Sequence, residues 1–227
     1  MKTPEIPETA ERFVVYFDVM GFKDFVYRND HSTVSELMNK LCSHIGDAKK
    51  WFCSGENGNV PDSDFEKILP VMFSDTVLFI TNGNTIKDAR SAMLTAAAFL
   101  HDMFKKGIPV KGALSYGTFS IDINKSMFFG RPLIDAYLLA EETYFYGSVI
   151  HHTAEVKFDE FDDDFLKKIV SRSQIPMKKG MVMHSYADWT VALDNSLEDL
   201  INPLYKTVSG NIRRYVDNTM STYIKNS

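Results

Sequence analysis

Two aspartates stand beside apolar runs in this 227-residue chain, where their carboxylates can do chemistry. Asp18 lies near the end of the run at 12–19, and Asp75 lies between the runs at 68–73 and 76–81. Such runs are typical of buried strands, so both carboxylates are expected at the rim of a sheet. Two neighbouring carboxylates can both stay ionised at a low free-energy cost only if a cation lies between them. Their oxygen atoms suit a hard divalent ion, Mg²⁺ or Mn²⁺, that bridges substrate phosphates.

The residues after Asp18 offer backbone groups to a phosphate, and they are Val19, Met20, Gly21 and Phe22. Gly21 permits a tight turn into the next helix, and N–H groups at a helix N-terminus favour anions. A simpler interpretation stays open for each aspartate alone. Asp18 could cap the short helix near Phe22, and Asp75 could be an ordinary turn residue. Both aspartates together, in this order, favour the metal and phosphate interpretation.

The elements that must position these residues follow from periodicity and turn signals. Strands are predicted at 12–19, 68–73, 76–81, 109–119 and 127–129, with weaker ones at 148–151, 167–171 and 181–184. Helices are predicted at 33–52, with Ser32 as N-cap, and at 86–106, 131–145 and 197–224, the last broken near Gly210. The order predicts an α+β fold with a ferredoxin-like split βαβ core, in which an antiparallel sheet carries helices on one face. In that sheet the first strand and the hairpin with Asp75 are neighbours.

Composition excludes several classes of protein. Hydrophobic residues make up 44% of the chain, which excludes general disorder, and the formal charge of −5 gives no reason to expect a nucleic acid partner. No signal-peptide h-region and no apolar stretch of about 18 residues is present, which predicts a cytoplasmic protein without direct membrane insertion. We expect a polar N-terminal tail at 1–11, one domain at 12–193, and a helical C-terminal region at 194–227 packed on that domain.

Four segments, in order, resemble motifs of class III nucleotidyl cyclases, the adenylyl and guanylyl cyclases. YFDVMGF is similar to the first-strand motif, FSDTVLF to the hairpin motif, PVKGALSYGTF to the fourth strand, and MFFGRPLIDAYLLAE to the start of the next helix. The resemblance covers residues 13–145. It implies that Asp18, Asp75 and the backbone carbonyl of Val19 hold two Mn²⁺ or Mg²⁺ ions. It also implies a nucleoside triphosphate substrate and a homodimer.

Several positions depart from the pattern of the family. Val71 stands where purine cyclases place a base-reading lysine, and Met127 where they place its aspartate partner. The transition-state asparagine and arginine are missing as well, and near them stand Ile134 or Asp135 and Leu138 or Leu139. The loss of both purine-reading residues suggests that the substrate carries a different base. In this respect and in its short length the chain resembles the pyrimidine cyclases of bacterial Pycsar antiphage defence. That resemblance implies a uridylate or cytidylate cyclase, with UTP favoured over CTP, and a separate effector protein that senses the cyclic nucleotide.

Three basic residues could contact the phosphates. Arg131, after Gly130 at a helix start, could act as a catalytic residue on the nucleotide of the partner chain; alternatively, it is a solvated first-turn residue. Lys178 and Lys179 are similar in place to a lysine that cyclases aim at the phosphates, although a lysine pair before a strand is commonly a solvated turn. The expected reaction is in-line attack of the ribose 3′-hydroxyl on the α-phosphorus, with pyrophosphate leaving.

Other functions stay open. A purine cyclase would convert ATP or GTP despite the altered base readers. A catalytically inactive relative would only bind a nucleotide or dimerise, as the missing asparagine and arginine suggest. A diguanylate cyclase or a polymerase is disfavoured, because no GGDEF-like run is present and the chain is acidic.

Overall fold

The computed structural model describes residues 7–44, 66–192, 196–206 and 208–224. Its strands are β1 (Thr9–Val19), β2 (Ile68–Phe73), β3 (Thr76–Thr81), β4 (Val110–Asp122), β5 (Met127–Gly130), β6 (Ser148–Ile150), β7 (Val170–Met177) and β8 (Gly180–Ala187). Its helices are α1 (Phe22–Arg28), α2 (His31–His44), α3 (Ile86–Lys105), α4 (Arg131–Glu142), α5 (His152–Phe161), α6 (Asp164–Ile169), α7 (Leu197–Tyr205) and α8 (Arg213–Ile224).

The strands form one eight-stranded open sheet. Seven of them follow the order β2-β3-β1-β4-β6-β8-β7, and the eighth, β5, pairs with β4 outside this order. β4 and β6 run parallel, and the other pairs are antiparallel. The central strands β1, β3 and β4 lie within residues 9–122 and carry most of the buried apolar residues of the sheet. The predicted α+β fold class is therefore confirmed.

The sheet buries both of its faces. Along β1 the side chains of Phe13, Val15 and Phe17 enter the main core beneath α3, whereas Val14 and Tyr16 belong to a smaller cluster. Alternate residues of a strand point to opposite faces, so the two clusters lie on opposite sides. Helix α4 covers the second side with Ala136 and Ala140. The helices thus lie on both faces rather than on one, which corrects that part of the prediction.

Several predicted boundaries differ from the structure. β1 begins at Thr9, so residues 9–11 belong to the sheet and not to an N-terminal tail. The strand predicted at 167–171 is mostly α6, because the Asp163 side chain accepts the Leu166 N–H and caps a helix there. Helix α2 starts at His31, and Asp30, not Ser32, accepts the Thr33 N–H at 2.8 Å. The predicted part of this helix from residue 45 to 52 lies outside the described residues.

Helix α5 was not predicted. Only Ala154 and Phe158 of its ten residues are buried, so its sequence lacks the apolar period that marks a helix. The C-terminal helices pack on the same core as the sheet, through Leu200, Ile201, Leu204, Val216 and Tyr223. No helix within the described residues is long and apolar enough to cross a membrane.

Helix α8 also satisfies backbone groups of the segment that joins α4 to β6. The Asn218 side chain donates to the Tyr144 carbonyl at 2.6 Å, and the Thr219 hydroxyl accepts the Tyr146 N–H at 2.8 Å. This segment has no strand partner of its own at those groups, and unpaired buried backbone groups are costly. The C-terminal helix therefore holds the connection that leads from α4 back into the sheet.

Candidate functional site

The two predicted aspartates lie side by side at one rim of the sheet. Asp18 pairs with Thr76 across β1 and β3, and the Val19 N–H donates to the Asp75 carbonyl at 2.9 Å. This hydrogen bond ties the end of β1 to the β2–β3 turn. Both aspartates are half-buried. The prediction that topology brings them together is therefore confirmed by their geometry.

The β2–β3 turn holds Asp75 through an unusual backbone conformation. Ser74 has a φ of 57°, in the left-handed region that glycine favours. A residue with a Cβ adopts this region at a conformational cost of about 1 kcal/mol, so Ser74 holds the turn at that cost. Phe73, just before it, is 81% exposed. The turn thus projects one carboxylate and one aromatic ring at the rim.

A buried lysine faces Asp18 from the neighbouring strand. Lys111 pairs with Asp18 across β1 and β4, is 4% exposed, and donates a 2.8 Å hydrogen bond to Glu141 at the end of α4. Directly opposed residues in antiparallel strands place their side chains on the same face. Asp18, Lys111 and Glu141 therefore share the α4 side of the sheet.

The electrostatics of Asp18 fit a cation site. Burial raises the pKa of Asp18 to about 6; Lys111 opposes this rise, and the charges of Asp75 and Glu141 add to it. An additional cation at the rim would remove this penalty on the ionised carboxylate. The donor set of two carboxylates fits Mg²⁺ or Mn²⁺, which take their remaining ligands from water and substrate phosphates. Within the described residues no three His, Cys, Asp or Glu side chains form a larger group that could hold a metal.

The turn after β1 is fixed by its own hydrogen bonds. Gly21 has a φ of 79° and caps α1, and the Met20 N–H donates to the Pro109 carbonyl at 2.9 Å. The Val19 and Met20 N–H groups are thus already engaged, so an anion at this turn would meet the N–H groups from Gly21 onward. Phe22 is buried in the main core, which agrees with a packing role for its ring.

Lys178 reaches the same corner as Asp18. The β7–β8 turn is attached to the end of α4, because the Lys178 N–H donates to the Glu142 carbonyl at 2.7 Å. The Lys178 ammonium then lies 3.7 Å from Glu141, which also holds Lys111. Lys179 lies next in this turn, with an exposed side chain. The structure thus brings Lys178 to the neighbourhood of the aspartates.

Arg131 lies at the other end of α4. Its side chain is 83% exposed and lies 3.3 Å from Asp135 one turn along the helix. Ten residues of helix separate Arg131 from Glu141, which is about 15 Å along the axis. Within one chain the structure therefore does not bring Arg131 to the two aspartates.

Three residues near the site were not predicted from the sequence, namely Lys111, Glu141 and Tyr215. A charged residue inside the apolar run of β4 was a usable signal for Lys111. Nothing in the sequence pairs it with Glu141, since the contact joins a strand to the far end of a helix. Tyr215 of α8 comes close as well: burial raises its pKa, and Tyr144, Glu141 and Asp18 add to that rise.

The positions that depart from the cyclase pattern lie on two parts of the fold, namely on the strands β2 and β5 and on helix α4. Val71 is half-buried in β2 and packs on the smaller cluster, whereas Met127 opens β5 and is exposed. Ile134 and Leu138 lie one turn apart on the exposed side of α4. Val71 and Met127 are thus apolar where the motif has polar base readers, whereas Ile134 or Asp135 and Leu138 or Leu139 stand near the positions of the asparagine and the arginine.

No family model and no curated protein matches the chain. Several solved structures are similar to the chain in their fold. The catalytic core of a rhodopsin-guanylyl cyclase with converted specificity, in complex with ATPαS, has a TM-score of 0.55 and 14% identity over 81% of this chain and 98% of that one. The non-canonical dimeric guanylyl cyclase domain of the RhoGC fusion protein from the aquatic fungus Blastocladiella emersonii has a TM-score of 0.54 and 16% identity over 79% of this chain and 96% of that one.

A bacterial light-regulated adenylyl cyclase is similar as well, with a TM-score of 0.52 and 12% identity over 87% of this chain and 100% of that one. At these identities the likeness concerns the arrangement of the backbone. These neighbours share the overall arrangement of sheet and helices with this chain. The chain therefore has the fold of the catalytic domains of adenylyl and guanylyl cyclases.

Proposed function

We propose that this protein is a nucleotidyl cyclase that converts a nucleoside triphosphate into a 3′,5′-cyclic nucleotide and pyrophosphate. The observation that carries the proposal is the pair Asp18 and Asp75, joined by the hydrogen bond between the Val19 N–H and the Asp75 carbonyl. In the reaction the ribose 3′-oxygen forms a bond to the α-phosphorus and its proton is lost. The bond from that phosphorus to the bridging oxygen breaks, and pyrophosphate leaves.

The chain supplies the ligands and the orientation for this step. Asp18, Asp75 and the Val19 carbonyl would hold two Mn²⁺ or Mg²⁺ ions, which when bound lower the pKa of the 3′-hydroxyl and offset the charge of the triphosphate. Both aspartates sit on strand ends and a tight turn, so they are held in place before substrate arrives. Rigid placement of this kind lowers the barrier by positioning and by charge stabilisation.

Phosphate contacts come from two places in the proposal. Lys178 lies in the corner of Asp18, where its ammonium can reach a triphosphate, and Lys179 adds charge to the same turn. The N–H groups of Gly21 and of the first residues of α1 would supply further contacts to the phosphates. These contacts orient the leaving group rather than the base.

We propose further that the site is completed by a second copy of the chain. Arg131 is exposed and lies too far along α4 to reach its own aspartates. Ile134, Tyr137 and Leu138 form an exposed apolar stripe on the same helix. A two-fold dimer in which α4 of each copy faces the rim of the other would bury this stripe and place Arg131 on the partner's nucleotide. One of the similar solved structures is described as a non-canonical dimeric guanylyl cyclase domain, so a domain of this fold does pair with a second copy.

The base is proposed to be a pyrimidine, with UTP favoured over CTP. Val71 and Met127 occupy the positions of the two purine readers, and neither side chain can hydrogen-bond a base. A site that has lost its polar readers loses discrimination of up to about 10⁴-fold. The product would then be cyclic UMP or cyclic CMP, a signal for a separate effector protein.

One observation favours a second candidate, a catalytically inactive nucleotide-binding dimer. The asparagine and the arginine that act in the transition state of the family are missing, and near their positions stand Ile134 or Asp135 and Leu138 or Leu139. In our proposal the positive charge of Arg131 takes the place of the missing arginine. In the inactive alternative no residue supplies this charge.

The test is incubation of the purified protein with each of the four nucleoside triphosphates and Mn²⁺, followed by mass spectrometry of the products. We expect a cyclic pyrimidine nucleotide and an equal amount of pyrophosphate, and neither product from Asp75→Asn. Cyclic AMP or cyclic GMP as the main product would refute the pyrimidine assignment. Binding of a nucleotide without any cyclic product would support the inactive alternative.

A further inference from the structure

Glu141 holds two lysines that differ in burial. One carboxylate oxygen accepts a 2.8 Å hydrogen bond from Lys111, whose side chain is 5% exposed. The other oxygen lies 3.7 Å from the ammonium of Lys178, whose side chain is 44% exposed. Lys111 is therefore a fixed partner of Glu141, and Lys178 is a loose one.

The two pairs respond differently to a competing anion. A buried ammonium that loses its partner is left uncompensated in a poorly solvated place, so Lys111 stays bound to Glu141. An ion pair at 3.7 Å with a half-exposed lysine is weak. A polyphosphate, with several charges, can therefore take Lys178 from Glu141 at little cost.

The backbone keeps Lys178 in place while its side chain changes partner. The Lys178 N–H donates to the Glu142 carbonyl, and the Tyr144 N–H donates to the Pro176 carbonyl at 2.9 Å. These two hydrogen bonds form an isolated antiparallel pairing of Thr143 with Met177. The turn is thus attached to the end of α4, and only the side chain of Lys178 has to move.

We propose, on the basis of the proposed function, that Glu141 is a positioning residue that holds Lys178 beside the aspartate rim and releases it to the triphosphate of the substrate. Glu141 competes with the phosphates for Lys178. It therefore limits the affinity of the site for polyphosphate and favours the release of pyrophosphate after the reaction. Lys111 keeps Glu141 oriented throughout.

The experiment is calorimetric titration of the full chain with inorganic tripolyphosphate, with and without Mn²⁺. Glu141→Gln should bind it about two- to fivefold more tightly than wild type, since it removes a weak competing ion pair. Lys178→Met should bind it more weakly. The double variant should bind like Lys178→Met alone, because Glu141 acts through Lys178.

A matched control separates this effect from a general loss of negative charge. Glu142→Gln removes the same charge one residue further along α4 and should leave the affinity at the wild-type value. The variant that combines Lys111→Met with Glu141→Gln deletes the buried pair without changing the net charge. It should still bind more tightly, and it keeps the test available if Glu141→Gln alone does not fold.

The outcomes distinguish this inference from the proposed function. Equal gains in Glu141→Gln and Glu142→Gln, or additive effects in the double variant with Lys178→Met, would overturn the role of Glu141. Wild-type protein that makes a cyclic nucleotide while Glu141→Gln binds tripolyphosphate as wild type does would overturn this inference alone. Wild-type protein that neither binds tripolyphosphate with Mn²⁺ nor cyclises a nucleotide would overturn both.

Discussion

The two ends of α4 are used in opposite ways. At its C-terminal end Glu141 is joined to Lys111 and lies near Lys178, so its charge is balanced within the chain. At its N-terminal end Arg131 is exposed, and Ile134 and Leu138 present apolar surface to solvent. The charge of Glu141 is balanced within its own chain, whereas the exposed apolar stripe beside the exposed Arg131 suits the partner of the proposed dimer. One helix can thus serve two sites, its own and that of a second copy.

The aspartate end carries the largest expected effect. Asp18→Ala and Asp75→Ala should each lower turnover at least about 100-fold, because each removes a cation ligand. Both side chains lie at the rim rather than in the core, so circular dichroism should show an unchanged fold. Measured cyclic nucleotide formation at saturating Mn²⁺ above a tenth of the wild-type rate would contradict the assignment.

Mixing inactive chains tests whether the other end of α4 acts on a partner. Arg131→Ala and Asp75→Ala should each be inactive alone, and their mixture should regain about a quarter of wild-type activity. Half of the dimers are then mixed, and one of the two sites in each mixed dimer is intact. The control mixture of Asp18→Ala with Asp75→Ala should stay inactive, since each chain lacks one aspartate of its own site. No recovery after verified subunit exchange would rule out a shared site.

The apolar stripe can be changed without touching the aspartates. Leu138→Glu should raise the dimer dissociation constant at least about tenfold, because it buries a charge in the interface. Turnover should fall in parallel, and the melting temperature of the monomer should stay the same. Val156→Glu, on the exposed side of α5, is the matched control and should sediment as wild type does. A Leu138→Glu chain that remains a dimer would remove the stripe from the interface.

The raised pKa of Asp18 predicts a specific pH dependence. In the metal-free folded state Asp18 titrates at a pKa of about 6, and in the unfolded state near its ordinary value of about 3.9. The folded state therefore binds more protons between these values, so its stability should fall as pH rises through this window. Asp18→Asn should flatten that part of the profile in thermal melts with chelator. Mn²⁺ affinity should rise with pH up to about 6 and then level off.

The smallest effect concerns the turn that carries Asp75. Ser74→Gly should stabilise the protein by about 0.5 kcal/mol, because relief of about 1 kcal/mol of left-handed strain is partly offset by the greater freedom of glycine in the unfolded chain. Denaturant titration measures this change. Turnover should fall slightly if serine also restricts Asp75, and a destabilised variant would show that the serine makes a compensating contact.

The first half of the chain could be predicted closely, and the second half less so. β2 and β3 lie at 68–73 and 76–81 as predicted, because apolar runs bounded by turn residues mark buried strands. Helix α5 gave no such signal, since only Ala154 and Phe158 are buried in it. The helix α6 replaced a predicted strand because its start depends on a side-chain cap from Asp163.

The sequence by itself identified the two carboxylates that lie at the rim of the sheet. Asp18 and Asp75 follow from strand patterns that hold in any packing, and a split βαβ order then makes them neighbours. The sequence also named Arg131, Lys178 and Lys179, but their distances from the rim were decided only by the tertiary structure. The contact between Lys111 and Glu141 was found only there. Lys111 meets Glu141 because a strand pairs with β1 while a helix crosses above it, and such contacts depend on distances that sequence spacing does not encode. The length of α4 likewise separates Arg131 from Glu141, so that Arg131 contributes to a site only in the proposed dimer.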